Sequence, residues 1–317
     1  MFGRPQRFPV IPPIAFPSRP RHVDAAVFAG LACVLAIIGW ADPSGATAAR
    51  FRFVGRAGVW PDALYDVGAP PLDGYPLDAV MTLPVWWSGA TWPQAAAVFW
   101  LFLAGLSMAW LSQQWWGSPW SGLIAGAAWQ LVLWPALPEG GTASLAALAL
   151  LPLAWGLTLR ALQAGGVALA AAAALLAAIH AVSAAESRGL LVLLCGAAGV
   201  AARLDDAREV LARLVLLIGA ALVACSPIVA FRLTTNAPLL AGPNLLSGAA
   251  LLLPVAVIGA FALRRRPHTL LLPGLALLGG IGPDASTGSA ALGVVLLAGA
   301  APLLLSAGPI PFAQRAG

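Results

Sequence analysis

Residues 94–137 read QAAAVFWLFLAGLSMAWLSQQWWGSPWSGLIAGAAWQLVLWPAL, with no Asp, Glu, Lys or Arg among them. Two apolar runs, 94–112 and 119–137, flank a short polar turn. Each is long enough to cross the roughly 30 Å hydrocarbon core of a bilayer as a helix. In lipid every backbone N–H and C=O must be satisfied within the protein, which a helix achieves by itself. The pattern predicts a helix, a tight turn and a second helix.

Similar runs recur on both sides, near 24–41, 143–162, 166–185, 188–203, 208–231, 246–263, 268–283 and 289–308. With the first two they predict an all-α, polytopic integral membrane bundle of about ten transmembrane helices. The composition agrees: 60% of the residues are apolar and 9% charged, with a mean hydropathy of +0.88, whereas a soluble domain carries about 25% charge. Residues 1–23 form a separate unit. MFGRPQRFPVIPPIAFPSRPRH is too proline-rich for a helix and lacks the apolar core and cleavage site of a signal peptide. It reads as an extended cytoplasmic arm, followed by a transmembrane domain over 24–317.

Arginine sets the orientation. All 17 basic residues are Arg. With both termini in the cytoplasm, twelve fall on the cytoplasmic side: Arg4, Arg7, Arg19, Arg21, Arg160, Arg203, Arg208, Arg213, Arg264, Arg265, Arg266 and Arg315. Five (Arg50, Arg52, Arg56, Arg188 and Arg232) fall outside. This predicts a multi-pass protein of a bacterial inner membrane with membrane lipids as its surroundings. No basic cluster alternates with aromatics, so nucleic acid is excluded as a partner. Cys33, Cys195 and Cys225 lie apart in apolar runs and read as buried, inert thiols. The three histidines are too scattered to suggest a metal motif.

Polar chemistry is left to the loops. The long one, residues 42–93, is extracytoplasmic in this topology and carries Asp42, Asp62, Asp66, Asp73 and Asp78, five of the twelve acids. All 13 Trp lie between Trp40 and Trp155. Most read as an interfacial belt, including Trp110, Trp115, Trp116 and Trp120 at the cytoplasmic turn. Trp60 and Trp129 suit a sugar- or lipid-lined groove.

The order of these features carries a resemblance. The first span ends in WADPSG, the loop contains YDVGAPPLDGYPLDAVMTLP, and FLAGLSMAWLSQQWWGSPWSGLIAGAAWQL follows. Over roughly residues 24–190 this resembles the GT-C superfamily of polytopic membrane glycosyltransferases, especially the YfhO-like and arabinofuranosyltransferase-like bacterial branch. The resemblance implies transfer of a sugar from a polyprenyl-phosphate donor at the outer face of the membrane. On it, Asp42 matches the carboxylate after the first span and is the expected catalytic base, with Asp66 and Asp73 around the Gly-Ala-Pro-Pro turn in support. Tyr75 belongs to the matching Tyr-Pro element, and with Trp60 it is an expected sugar contact. His180 falls where relatives carry a polar residue. The chain departs from the pattern in its shorter length and in having no paired acids beside Asp42.

The residues read by themselves leave room for other roles. Asp42 before Pro43 also suits a solvated turn, and the loop aspartates suit turns around Gly and Pro. If the aspartates hold a metal, their oxygens suit Mg²⁺ or Mn²⁺. Arg188 and Arg232 suit a lipid phosphate through a two-pronged guanidinium, or they snorkel to head groups. His180 suits a phosphate contact or an interhelical hydrogen bond. A second reading makes the chain a non-catalytic structural or assembly subunit, with other subunits of a membrane complex as partners. A transporter is disfavoured by the lack of an internal repeat.

Overall fold

The computed structural model describes residues 22–39, 94–134, 136–182, 189–196, 207–235, 245–263, 270–281 and 287–306. The N-terminal arm and the 42–93 loop lie outside the described residues, apart from the first turn of the opening helix. Among the described residues the chain is helical and contains no strand. The helices are α1 (His22–Gly39), α2 (Gln94–Trp116), α3 (Pro119–Leu133), α4 (Ala136–Ala164), α5 (Val167–Val182) and α6 (189–196). They continue with α7 (Ala207–Thr235), α8 (Leu246–Ala250), α9 (Leu253–Ala262), α10 (Leu271–Leu278), α11 (Thr287–Ala300) and α12 (Pro302–Ser306).

Each predicted apolar run contains a helix, but three stretches among the described residues are long and apolar enough to cross a membrane: Leu145–Gln163, Arg208–Ser226 and Thr287–Leu304. Two runs predicted as continuous are broken. The run 246–263 divides at Leu251–Leu252, just before Pro254 at the head of α9. The last run steps at Ala301, where Pro302 has no N–H to give Ala298 and the Ala301 N–H turns back to the Ala298 carbonyl at 3.1 Å instead. Pro152, by contrast, sits inside the 29-residue α4.

Close contacts fix the helix directions. α2 and α3 form a hairpin across Gly117–Ser118. The Gly117 N–H caps α2 on the Gln113 carbonyl with φ +69°, a left-handed conformation that favours glycine. The Ser107 hydroxyl reaches the Ala149 carbonyl, and Trp110 packs where Gly156 leaves no room for a side chain, so α4 runs parallel to α2. Gly165 and Gly166 turn the chain back into α5. Arg213, early in α7, bonds the Leu162 carbonyl at the end of α4. The Trp116 indole donates to the Leu296 carbonyl, and Gly299 abuts Ser112, Ser121 and Ala125, so α11 ends beside the α2–α3 turn. Gly248 lies on Val132 and Gly259 on the backbone of Leu297, so α8 and α9 run toward that same end. Gly279 and Gly280, just after α10, meet Ser289 and Ala290 of α11, and Gly293 of α11 lies against Leu277 and Pro273, so those two helices are antiparallel. α6 is antiparallel to α10 in turn, with Gly189 against Gly279 and Gly196 against Leu275.

The bundle therefore has two distinct ends. The turn end gathers Gly117, the ends of α4, α9 and α11, and the start of α7. The opposite, loop end gathers Gln94 at the start of α2, the ends of α3, α5 and α7, and the starts of α4, α6, α8 and α11. A single apolar core runs between them, with Trp129, Trp155, Leu101, Met108, Leu111, Leu148 and Leu151 fully buried.

Candidate functional site

Most of the residues expected from the sequence to bear chemistry are not among the described residues. Asp42, Asp66, Asp73, Trp60, Tyr75 and Arg188 lie outside the described residues, as do the side chains of His180 and Arg232. Their backbone attachments are informative. The 42–93 loop enters the bundle at Gln94. His180 belongs to the last turn of α5, Arg232 to the last turn of α7, and Gly189, the first residue of α6, directly follows Arg188 in the chain. All four points are at one end. The start of α6 is tightly seated there: a Cβ on Gly279 would lie 3.0 Å from Gly189 Cα and 3.2 Å from Ser289 Cβ.

Four described charges gather at the other end. Arg160, Arg208, Glu209 and Arg213 stand around the start of α7 and the end of α4. The Arg213 guanidinium donates to the carbonyls of Leu162 at 3.0 Å and Gln163 at 2.5 Å, and it pairs with Glu209 one turn back. These carbonyls lack intrahelical donors because α4 ends there, and a cation is favourable at the negative end of a helix. The run ARLDDAREVLAR shows the Glu209–Arg213 pair by its spacing. The grip on α4, fifty residues away, carries no local signal.

Among the described residues the buried polar side chains are neutral. They are Ser107, Ser112, Ser121, Gln130, Thr158 and Ser289. Gln130 donates to the carbonyls of Phe28 at 3.0 Å and Leu101 at 2.9 Å, joining α1, α2 and α3. Its Oε1 and the indole nitrogens of Trp100, Trp129 and Trp155 are buried without a hydrogen-bond partner. None of these groups exchanges a proton near neutral pH. Among the described residues no three His, Cys, Asp or Glu side chains gather as a metal site.

Three expectations change. Trp129 is fully buried in the core and cannot line a groove. Trp110 and Trp116 pack into α4 and α11, while Trp120 is exposed in the manner of an interfacial residue. Of the three free thiols, Cys225 is buried, but Cys33 and Cys195 face outward from the bundle.

No protein-family model, curated protein or solved structure matches this chain.

Proposed function

We propose that this chain is a bacterial inner-membrane protein of about ten spans with both termini in the cytoplasm. On this reading it is a GT-C-like glycosyltransferase drawing on a polyprenyl-phosphate-linked sugar at the outer face. The observation that carries it is the common end shared by Gln94, the last turn of α5, the first residue of α6 and the last turn of α7. An acidic loop is thereby tethered at the end of the bundle where two arginines and a histidine are attached.

The chemistry needs few parts. An acceptor hydroxyl attacks the anomeric carbon as the bond from that carbon to the phosphate oxygen breaks. Asp42 takes the hydroxyl proton, and the electron pair leaves on the polyprenyl phosphate. The guanidinium of Arg188 or Arg232 offsets the charge that develops there. His180 is a further phosphate contact, and Trp60 and Tyr75 hold the sugar. Asp66 and Asp73 offer the hard oxygen donors that Mg²⁺ or Mn²⁺ takes, while proton removal itself needs only Asp42.

The second reading, a structural or assembly subunit, is favoured by a different observation. The span Arg208–Ser226 is only 17% buried within the chain, against 72% for each of the other two spans, which leaves an apolar flank for other proteins.

One substitution separates the two. In membranes supplied with polyprenyl-phosphate sugars, Asp42→Asn should cut transfer by at least a hundredfold (roughly 2.7 kcal/mol of barrier) while the protein accumulates normally. Undiminished transfer by the variant would remove Asp42 from the mechanism. No transfer by the parent chain, with stoichiometric copurification of another membrane protein, would leave the subunit reading.

A further inference from the structure

One face of α3 is apolar and exposed. Trp120, Ile124, Leu131 and Trp134 are 56%, 38%, 46% and 37% exposed, while Ser121, Ala125, Trp129, Gln130 and Leu133 are buried. With 3.6 residues per turn the four exposed positions fall within about 80° of one another. They form a narrow stripe with an indole at each end and aliphatic side chains between. Tryptophan is enriched at both membrane–water interfaces, so the stripe reads as the surface that α3 turns to lipid, bracketed by its two interfacial anchors. It is short. Trp120 and Trp134 stand fourteen residues apart, about 21 Å at 1.5 Å per residue. Both side chains lean toward the helix N-terminus, which leaves their separation near that figure. The hydrocarbon core of a bilayer is about 30 Å thick, and any tilt of α3 widens the shortfall.

The short side is the loop end. At the turn end α2, α3 and α11 stop together: the Trp116 indole reaches Leu296, and Gly299 meets Ser112 and Ser121. Toward the loop end the Gln130 amide takes the Leu101 carbonyl at 2.9 Å. From that link α2 extends seven more residues, about 10 Å, to Gln94, whereas α3 has four, about 6 Å, to Trp134. The neighbouring α8 is low in the same way. It starts at Leu246, two residues before Gly248, which lies against the Val132 backbone. A stretch shorter than the hydrocarbon is accommodated by snorkelling of flanking residues, by association or by thinning of the bilayer. Snorkelling is closed to α3, because residues 94–137 contain no charged side chain. We propose that the bilayer is thinned to about 21 Å beside α3, with the loop-end leaflet dipping to meet Trp134. The partner of this face is lipid with short or disordered acyl chains. The thinning goes beyond the glycosyl-transfer reading and holds equally for an assembly subunit.

Two spin labels measure the local thickness. The full chain, with its three native cysteines replaced by serine, carries Ile124→Cys or Leu131→Cys labelled with a nitroxide in dioleoylphosphatidylcholine vesicles. The depth of each label below the nearer surface is read from its relaxation by oxygen and by a polar nickel chelate. The two positions are seven residues apart, about 10 Å along α3, so the local thickness is the two depths plus that separation. The depths should sum to about 11 Å, a thickness of about 21 Å. An undeformed bilayer gives depths that sum to about 20 Å wherever α3 sits along the membrane normal, and a thickness of about 26 Å or more overturns the proposal. Weak relaxation by both reagents at both positions overturns it as well, because a protein would then cover the stripe. Circular dichroism and elution volume must match the parent, and Ala127→Cys, on the same face, replaces a variant that does not match, with the same thickness expected. Sugar transfer plays no part in the readout, so its absence would count against the enzymatic reading and not against the thinning.

Discussion

Gln130 concentrates the energetics of the front half of the bundle in one side chain. Its amide nitrogen spends both hydrogens on carbonyls of two other helices, Phe28 and Leu101. Glycine makes the approach possible: a Cβ on Gly105 would come within 2.9 Å of Gln130 Nε2, and Gly126 leaves the Phe28 ring its place. Interhelical hydrogen bonds in a membrane are modest, about 0.6 kcal/mol on average and up to about 1.7. Gln130→Leu loses both bonds but also removes the unpartnered Oε1, and each effect offsets part of the other. That variant should lose about 1 kcal/mol. Gln130→Glu keeps the shape and replaces the donor with a second oxygen facing two carbonyl oxygens. Whether it buries a charge or takes up a proton, it should lose at least about 3 kcal/mol. Reversible unfolding in mixed micelles measures both; equal losses would mean that side-chain volume, not donation, matters at this position.

Prolines show how far a reading by apolar runs alone falls short. Pro254 and Pro302 stand at helix starts and break two runs that their apolar character alone reads as continuous, because each proline lacks the N–H that the preceding turn needs. Pro152 is chemically identical, yet α4 continues through it. It leaves the Leu148 carbonyl without its usual donor. Ser107 of α2 then gives its hydroxyl to the next carbonyl, Ala149, at 2.6 Å. That support comes from 42 residues away, so no window along the chain could reveal it. The grip of Arg213 on α4 escapes sequence reading for the same reason, while the Glu209–Arg213 pair, one turn apart, does not. If Ser107 and Pro152 act together, their substitutions will not add. Ser107→Ala should cost about 1 kcal/mol in the native chain and no more than about half of that beside Pro152→Ala, where α4 regains the missing N–H. A double-mutant cycle on unfolding free energies tests this; strict additivity would make the Ser107 bond independent of Pro152.

At the scale of the whole molecule, contacts and charge pattern give the same division by separate routes. Arginine counting assigned Arg160, Arg208, Arg213 and Arg264–Arg266 to one side. The helix directions bring the first three to the turn end, and α9 ends there with Leu263, immediately before Arg264. The directions of successive helices were readable because short connections between apolar runs make neighbours antiparallel, although only three stretches among the described residues are long and apolar enough to cross a membrane. The chemistry was less readable. Carboxylates in a loop rich in Gly and Pro carry no period that separates a catalytic group from a turn residue, and the described interior adds only neutral polar groups. Sidedness is therefore the property of the fold on which a site at the outer face depends most. With the native cysteines replaced by serine, Ser118→Cys and Gln163→Cys lie at the turn end and Ile281→Cys at the loop end. In spheroplasts an impermeant maleimide should label Ile281→Cys at once and the other two only after lysis. Labelling of all three from one face would contradict the helix directions. A reversed pattern would leave the bundle intact but turn the loop end toward the cytoplasm, and a donor displayed on the outer leaflet would then lie on the wrong side of the membrane from Asp42.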